Sequence, residues 1–118
     1  MEIPKRFKLF GQVINVTHSK TLIHRDDACG LCSYRDNLII LQAASDDNPL
    51  PASQIEQSFC HELMHRLFND GGYADDRNNE DKVDMMGKLL HQFLTTAEYT
   101  DKPTSNLVTP RKESTGAR

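Results

Sequence analysis

Tryptophan is absent from the 118 residues, and 3 Tyr and 5 Phe supply all the aromatic side chains. With 37% of residues hydrophobic, the apolar material suffices for one modest core and one domain. Long apolar runs are missing too, since nothing approaches the roughly 18 consecutive apolar residues of a membrane span. Residues 1–7 lead into no apolar segment and no cleavage site, so a secretory signal is not expected. Cysteine is scarce. Three is an odd number that argues against a disulfide scaffold and for a reducing, cytoplasmic setting. Excess positive charge is lacking as well. The net charge of -3 leaves no electrostatic footprint for nucleic acid, and the basic clusters Lys5, Arg6, Lys8 and Arg111, Lys112, Arg118 read as solvated ends.

What is present is concentrated in one stretch. Residues 61–65, HELMH, carry the pattern His-Glu-x-x-His. Side chains four apart share a helix face, so His61 and His65 can both direct an imidazole at one small cation. Glu62 leaves the same helix beside them, where it can hold and deprotonate a water. This is the arrangement of zinc hydrolases, with two histidine ligands and a glutamate as general base.

The surrounding pattern predicts an α+β fold. Residues 7–18 alternate loosely and read as one strand or two short ones kinked at Gly11. Residues 19–28 read as a connection and 29–34 as a short strand. Asp36 and Asn37 then turn the chain into the strand Leu38, Ile39, Ile40, Leu41. A small, mostly antiparallel sheet is expected. After the break at 45–51, two helix starts are open: a capping box from Ser53 to Glu56, or Pro51 at the first helical position. The helix runs to Asn69 with an apolar stripe of Ile55, Phe59, Leu63 and Leu67, and Gly71 and Gly72 end it. An acidic loop over 70–82 leads into a second helix with Val83, Met86, Leu90, Phe93, Leu94 and Ala97 at helical spacing. Sheet and two helices form one domain over 1–100. Residues 101–118, rich in Pro, Ser, Thr and charge, are expected to be a flexible tail.

Two histidines leave a catalytic zinc one protein ligand short. Glu80 can be the third, with Asp84 or Asp81 as substitutes. Asp84, four residues on, is placed to accept a hydrogen bond from the outward nitrogen of His61 or His65, with His61 favoured by analogy. Gly87, lacking a side chain, would let the two helices approach closely.

HELMH followed by Glu80 and Asp84 resembles the His-Glu-x-x-His…Glu-x-x-x-Asp pattern of gluzincin metallopeptidases. More narrowly, FCHELMHRLF (59–68) and VDMMGKLLHQFL (83–94) are similar to the small ImmA/IrrE-like metallopeptidase domains of phages and bacteria. The likeness covers about residues 7–98, and only the motif helix is specific. Where the family often shows Ala-Asn and Phe-Ala after the third ligand, this chain has Val83-Asp84 and Met86-Gly87. The resemblance implies a short sheet, the motif helix and a following helix that brings the carboxylate. It also implies Glu80 as third zinc ligand, Asp84 as the brace of a zinc-bound histidine, and a phage or host regulatory protein as substrate.

Other chemistry-bearing residues have plainer readings. Cys29 and Cys32 have CxxC spacing, but lie in a strand with no second pair, and read as sheet-lining thiols. Cys60 reads as a small buried group, His18 and His24 as surface residues, and His91 as a helix-packing or cleft-edge histidine. Tyr73 could reach over the cleft to an oxyanion, yet reads first as a surface tyrosine. The rival to a peptidase is a zinc-stabilised or metal-free module that binds a regulatory partner without catalysis. A fourth protein ligand, such as His91 or a cysteine, would favour that rival.

Overall fold

The computed structural model describes residues 1–26 and 28–100, without the side chains of His24 and Arg25. The tail expected over 101–118 lies outside the described residues. Phe10 and Gly11, both at positive φ (49° and 81°), reverse the chain between strands β1 (Arg6–Leu9) and β2 (Gln12–Ser19). That is the turn geometry whose twist matches a hairpin, and β1 and β2 pair antiparallel with Phe7 opposite Ile14. The kink expected at Gly11 is therefore a full reversal.

The segment after β2 is more than a connection. It contains a short helix, α1 (Leu22–Asp26), whose Leu22 is fully buried. The buried Gln42 holds this segment in place. Its Oε1 accepts from Ile23 N–H at 2.7 Å, and its Nε2 donates to the carbonyls of Lys20 at 3.0 Å and Ala43 at 2.9 Å. Strand β3 (Gly30–Ser33) follows. A turn ending at Asn37, itself at φ 51°, then leads into β4 (Leu38–Gln42).

The order across the sheet is β1-β2-β4-β3. β3 and β4 pair antiparallel, but β4 lies parallel to β2, with Val16 opposite Ile39. The sheet is thus mixed, which corrects the expectation of a mostly antiparallel one. The physical reason is the position of β4. Its run Leu38, Ile39, Ile40, Leu41 is apolar on both faces, which suits a central strand. The connection through α1 carries β3 to the outer edge, and the turn at Asn37 returns β4 into the gap.

One face of this α+β fold is covered by helix α2 (Ala52–Asp70). Ile14 and Val16 of β2 and Ile39 and Leu41 of β4 meet Phe59 and Cys60 in the core, and Phe7 packs edge-on against Phe59 at 5.9 Å. Neither expected helix start is realised. Pro51 is the N-cap, and its carbonyl accepts from Gln54 and Ile55 without a side-chain cap. At the far end Gly71 caps α2 through its N–H on Leu67 O at 2.8 Å, and Gly72 turns away at φ 93°.

Helix α3 (Glu80–Thr96) starts at Asn79, whose side chain accepts from Lys82 N–H at 3.2 Å. It runs antiparallel along α2, with Glu80 beside His61, Gly87 against Cys60 and His61, and His91 on Glu56. Of the apolar positions expected on α3, Val83 is buried and Leu90 packs on the core, while Phe93 and Leu94 stay exposed. By the level of His91 the helix has reached the first turns of α2, and little remains opposite it. No described helix is long and apolar enough to cross a membrane.

Candidate metal centre

His61 and His65 project from one side of α2, beside the ridge that faces the core. Their Nε2 atoms lie 3.2 Å apart. The chain after Gly71 passes through a short 3-10 turn (Ala74–Asp76) and back over the C-terminal half of α2. This brings the Arg77 carbonyl onto His65 Nδ1, which donates to it. With its proton so placed, the Nε2 of a neutral His65 is a free lone pair. Arg77 is anchored in turn by Nη1 donating to Asn69 Oδ1 at 2.6 Å.

Glu80, the first residue of α3, reaches both imidazoles. Its Oε1 is 3.1 Å from His61 Nε2 and its Oε2 is 3.1 Å from His65 Nε2. Asp84, one turn along, sits 3.6 Å from His61 Nδ1, beyond an ordinary hydrogen bond. Asp84 also pairs with Lys88 at 2.9 Å, and Lys88 first, then His61, holds its carboxyl below the usual range. The close helix approach that makes this possible occurs at Gly87. A Cβ there would come within 3.1 Å of the His61 Cα and N atoms.

Do these donors fit a cation? Tetrahedral zinc with bonds of about 2.0–2.1 Å has donor atoms about 3.3 Å apart. Here the two Nε2 atoms, 3.2 Å apart, match one edge of such a tetrahedron, and Glu80 brings a different oxygen to within 3.1 Å of each. Two imidazoles and a carboxylate are also a donor set typical of catalytic zinc. Among the described residues, His61, His65 and Glu80 form the one group of His, Cys, Asp or Glu that could hold a metal, and no fourth donor of these types joins it. His91 is engaged elsewhere, with Nε2 on Glu56 Oε1 at 2.8 Å. Asp81 lies exposed outside the cluster.

Glu62 is buried, at 8% exposure, and burial raises its carboxyl above the ordinary range; His65 and His61 oppose this and Glu80 adds to it. Gly30 of β3 presses against it, where a Cβ would lie 3.0 Å from Glu62 Cγ. Glu62, the two histidines, Glu80 and Asp84 line a single groove of about 630 Å³. The opposite wall is the edge strand β3 with Cys29 just before it.

Both cysteines of the CxxC pair are free thiols on this wall, as is Cys60 in the core. Burial, then the Glu62 charge, pushes Cys32 up to about 11, and burial pushes Cys60 up to about 11. Both therefore stay protonated near neutrality. Tyr73, 65% exposed, does not line the groove. His18 is exposed on β2, and the His24 side chain is outside the description.

Sequence reasoning missed four contributors. Tyr34 lines the groove with its ring under the Arg77 guanidinium at 5.1 Å. Burial, then Cys32, pushes its phenol up to about 12, so it is a hydroxyl donor at neutral pH. The Arg77 carbonyl gives no side-chain signal at all, and Gly30 reads as an ordinary strand glycine. Arg66 was legible in principle, being a charged residue on the inward side of an amphipathic helix. Fully buried, it pairs with Asp70 at 2.5 Å and donates to Gln12 Oε1 at 3.2 Å, to Asn37 Oδ1 and towards the Tyr34 carbonyl at 3.4 Å. It thereby fixes the motif helix to both turns at that end of the sheet. Comparison with family models, with curated proteins and with solved structures finds no match for this chain.

Proposed function

We propose that this chain is a zinc-dependent metallopeptidase in which His61, His65 and Glu80 hold the metal and Glu62 is the general base. The observation that carries the reading is the pair of Nε2 atoms 3.2 Å apart, with a Glu80 oxygen 3.1 Å from each, beside a buried glutamate. A zinc ion held there would supply a Lewis acid that acidifies water and polarises a carbonyl.

The chain's own residues supply the rest. The Arg77 carbonyl fixes the His65 tautomer, and Asp84 orients His61. Glu62, a stronger base for its raised pKa, takes a proton from the attacking water and passes one to the leaving amine. Tyr34, neutral on the groove wall, is available to donate a hydrogen bond to oxygen charge developing at the scissile carbonyl. The free edge of β3 favours an extended peptide segment as substrate, since such a segment can add to a sheet edge. The resemblance to ImmA/IrrE-like domains suggests that this segment belongs to a phage or host regulatory protein. Three free thiols fit a cytoplasmic setting.

The test compares wild type with Glu62→Gln, which keeps size and packing but removes the basic oxygen. Each is loaded with zinc and incubated with host lysate or a candidate regulator, and new protein termini are mapped by mass spectrometry. Termini that arise with wild type and not with Glu62→Gln, at equal zinc content, support the peptidase. Partner capture by both proteins without new termini would replace it with a non-catalytic binding module.

A further inference from the structure

Helix α2 and strand β3 run the same way along the groove, since Gly30 lies against Glu62 and the Tyr34 carbonyl lies near Arg66. The half of the groove ahead of the two histidines is therefore walled by Ala28 and Cys29 on one side and by Gln54, Gln57 and Ser58 on the other. At about 100° per residue Gln54, Gln57, Ser58, His61 and His65 share a sector of roughly 100°, so the three polar side chains continue the line of the imidazoles. None of the three makes a side-chain hydrogen bond to another described residue. Single polar side chains left to water are normal on a helix surface. Three in line with a candidate metal centre, on the wall of its own groove, form a row of open donors and acceptors.

The opposite wall offers backbone. Gln42 N–H donates to Cys29 O at 2.9 Å, which makes Cys29 and Gln42 a hydrogen-bonded pair. Such pairs alternate along antiparallel strands, so Leu31 and Ser33 also turn to β4, while Gly30 and Cys32 turn their N–H and C=O groups to the open edge. Both residues line the groove, and these outward groups meet no partner among the described residues. We propose that Gln54 and Gln57 are substrate-binding residues that hold the main chain of an extended peptide leading to the β3 edge, a role that rests on the peptidase reading of the same groove. The groove then selects an unfolded, extended segment and not a particular side chain.

The dimensions agree. Gln57 and Gln54 stand four and seven residues before His61, about 6 and 10 Å along the helix. An extended chain advances about 3.3 Å per residue, so the two amides reach the second and third residues to one side of the scissile bond. A primary amide carries both donors and an acceptor, and can pair with either the C=O or the N–H of such a segment. Side-chain selection has little to work with in this half of the groove. Ala28, Cys29 and Ser58 are small, the glutamines are uncharged, and no Lys or Arg lines the groove. The carboxylates that line it, Glu62, Glu80 and Asp84, stand at or beside the two histidines.

The test uses the full chain carrying Glu62→Gln, with and without one equivalent of zinc, so that binding is read apart from cleavage. Capped hexapeptides of three kinds, Ala and Ser only, Lys-containing and Glu-containing, are titrated into it by NMR. All should bind with dissociation constants of about 1 mM, within about fivefold of one another, and should shift the amides of Gly30 and Cys32. Gln54→Ala and Gln57→Ala should each weaken binding about 2- to 10-fold, as for one hydrogen bond. Both side chains are exposed, so each variant should melt as Glu62→Gln alone does. N-methylation of alternate peptide nitrogens should abolish binding. No binding at about 10 mM overturns the proposal, as does a spread above about tenfold with side-chain charge, or affinity unchanged by both glutamine substitutions. The peptidase reading fails separately. Binding of the expected pattern, with no new termini when zinc-loaded wild type meets the same peptides, would remove the peptidase and leave the glutamines as peptide-binding residues. Cleavage by wild type that ignores both glutamines would do the reverse.

Discussion

Glu80 and Asp84 show how much a four-residue spacing can and cannot say. Both lie on the side of α3 that faces the histidines, so spacing alone leaves either as the third donor. Reach favours Glu80, which comes within 3.1 Å of both Nε2 atoms, whereas Asp84 approaches only the Nδ1 of His61. The account therefore predicts unequal losses. In a competition titration against a chromophoric chelator, Glu80→Ala should abolish measurable zinc binding. Asp84→Ala should weaken it about 10–100-fold, as for a group that orients a ligand. The reverse ranking would make Asp84 the ligand. The residues that sequence reading missed at this scale act through backbone or burial. A carbonyl such as that of Arg77 is present in every residue, and only the folded loop says which one meets His65. Tyr34 gives no signal in the sequence, because only the folded sheet edge brings it to the groove.

At the scale of elements, the approach of α2 and α3 was legible in Gly87 before any coordinates. A Cβ there would lie 3.1–3.3 Å from backbone atoms of Cys60 and His61, tighter than ordinary van der Waals contact. Gly87→Val should push α3 outward, costing about 1–3 kcal/mol in urea denaturation through overpacking. Because Glu80 rides on α3, zinc affinity should fall with it. A variant as stable and as tightly zinc-binding as wild type would show that the helices have slack. A second tie joins the same helices at their other ends, where Glu56 of α2 pairs with His91 of α3 at 2.8 Å. That hydrogen bond first, and then the Met1 ammonium 3.4 Å away, holds the Glu56 carboxyl below its ordinary range. A carboxyl whose folded pKa is depressed adds stability above its unfolded value, and loses that contribution as pH falls through the folded one. Melting temperatures of wild type and Glu56→Gln should therefore differ most near neutrality and converge in acid, below the usual carboxylate range of about 4.3. A difference that is constant with pH would mean that the pair contributes packing alone. The start of α2 was less legible. Two capping signals competed around Pro51, and the fold uses neither, since a backbone carbonyl suffices where the first turn is exposed.

For the whole molecule, the strands could be read from composition, but their order could not. Alternation in β2 and the apolar run of β4 are local signals, and both strands formed where expected. Which strands become neighbours depends on the path of the connection, here on a buried Leu22 and on Gln42 reaching three backbone groups. Nothing in residues 19–28 announces that path. The consequence for the site is large, because the same path leaves β3 at the sheet edge, with Gly30 against Glu62 and a groove between strand and helix. The central claim is that this groove holds one zinc on two imidazoles and a carboxylate, with a position left open. X-ray absorption of the protein loaded with one equivalent of zinc tests it most directly. The account predicts a first shell of nitrogen and oxygen only, at about 2.0–2.1 Å, with two imidazoles resolved by their outer-shell scattering. Loss of that spectrum in His61→Ala should accompany it. Zinc that fails to bind stoichiometrically, a third imidazole in the shell, or a sulfur neighbour at about 2.3 Å would contradict it.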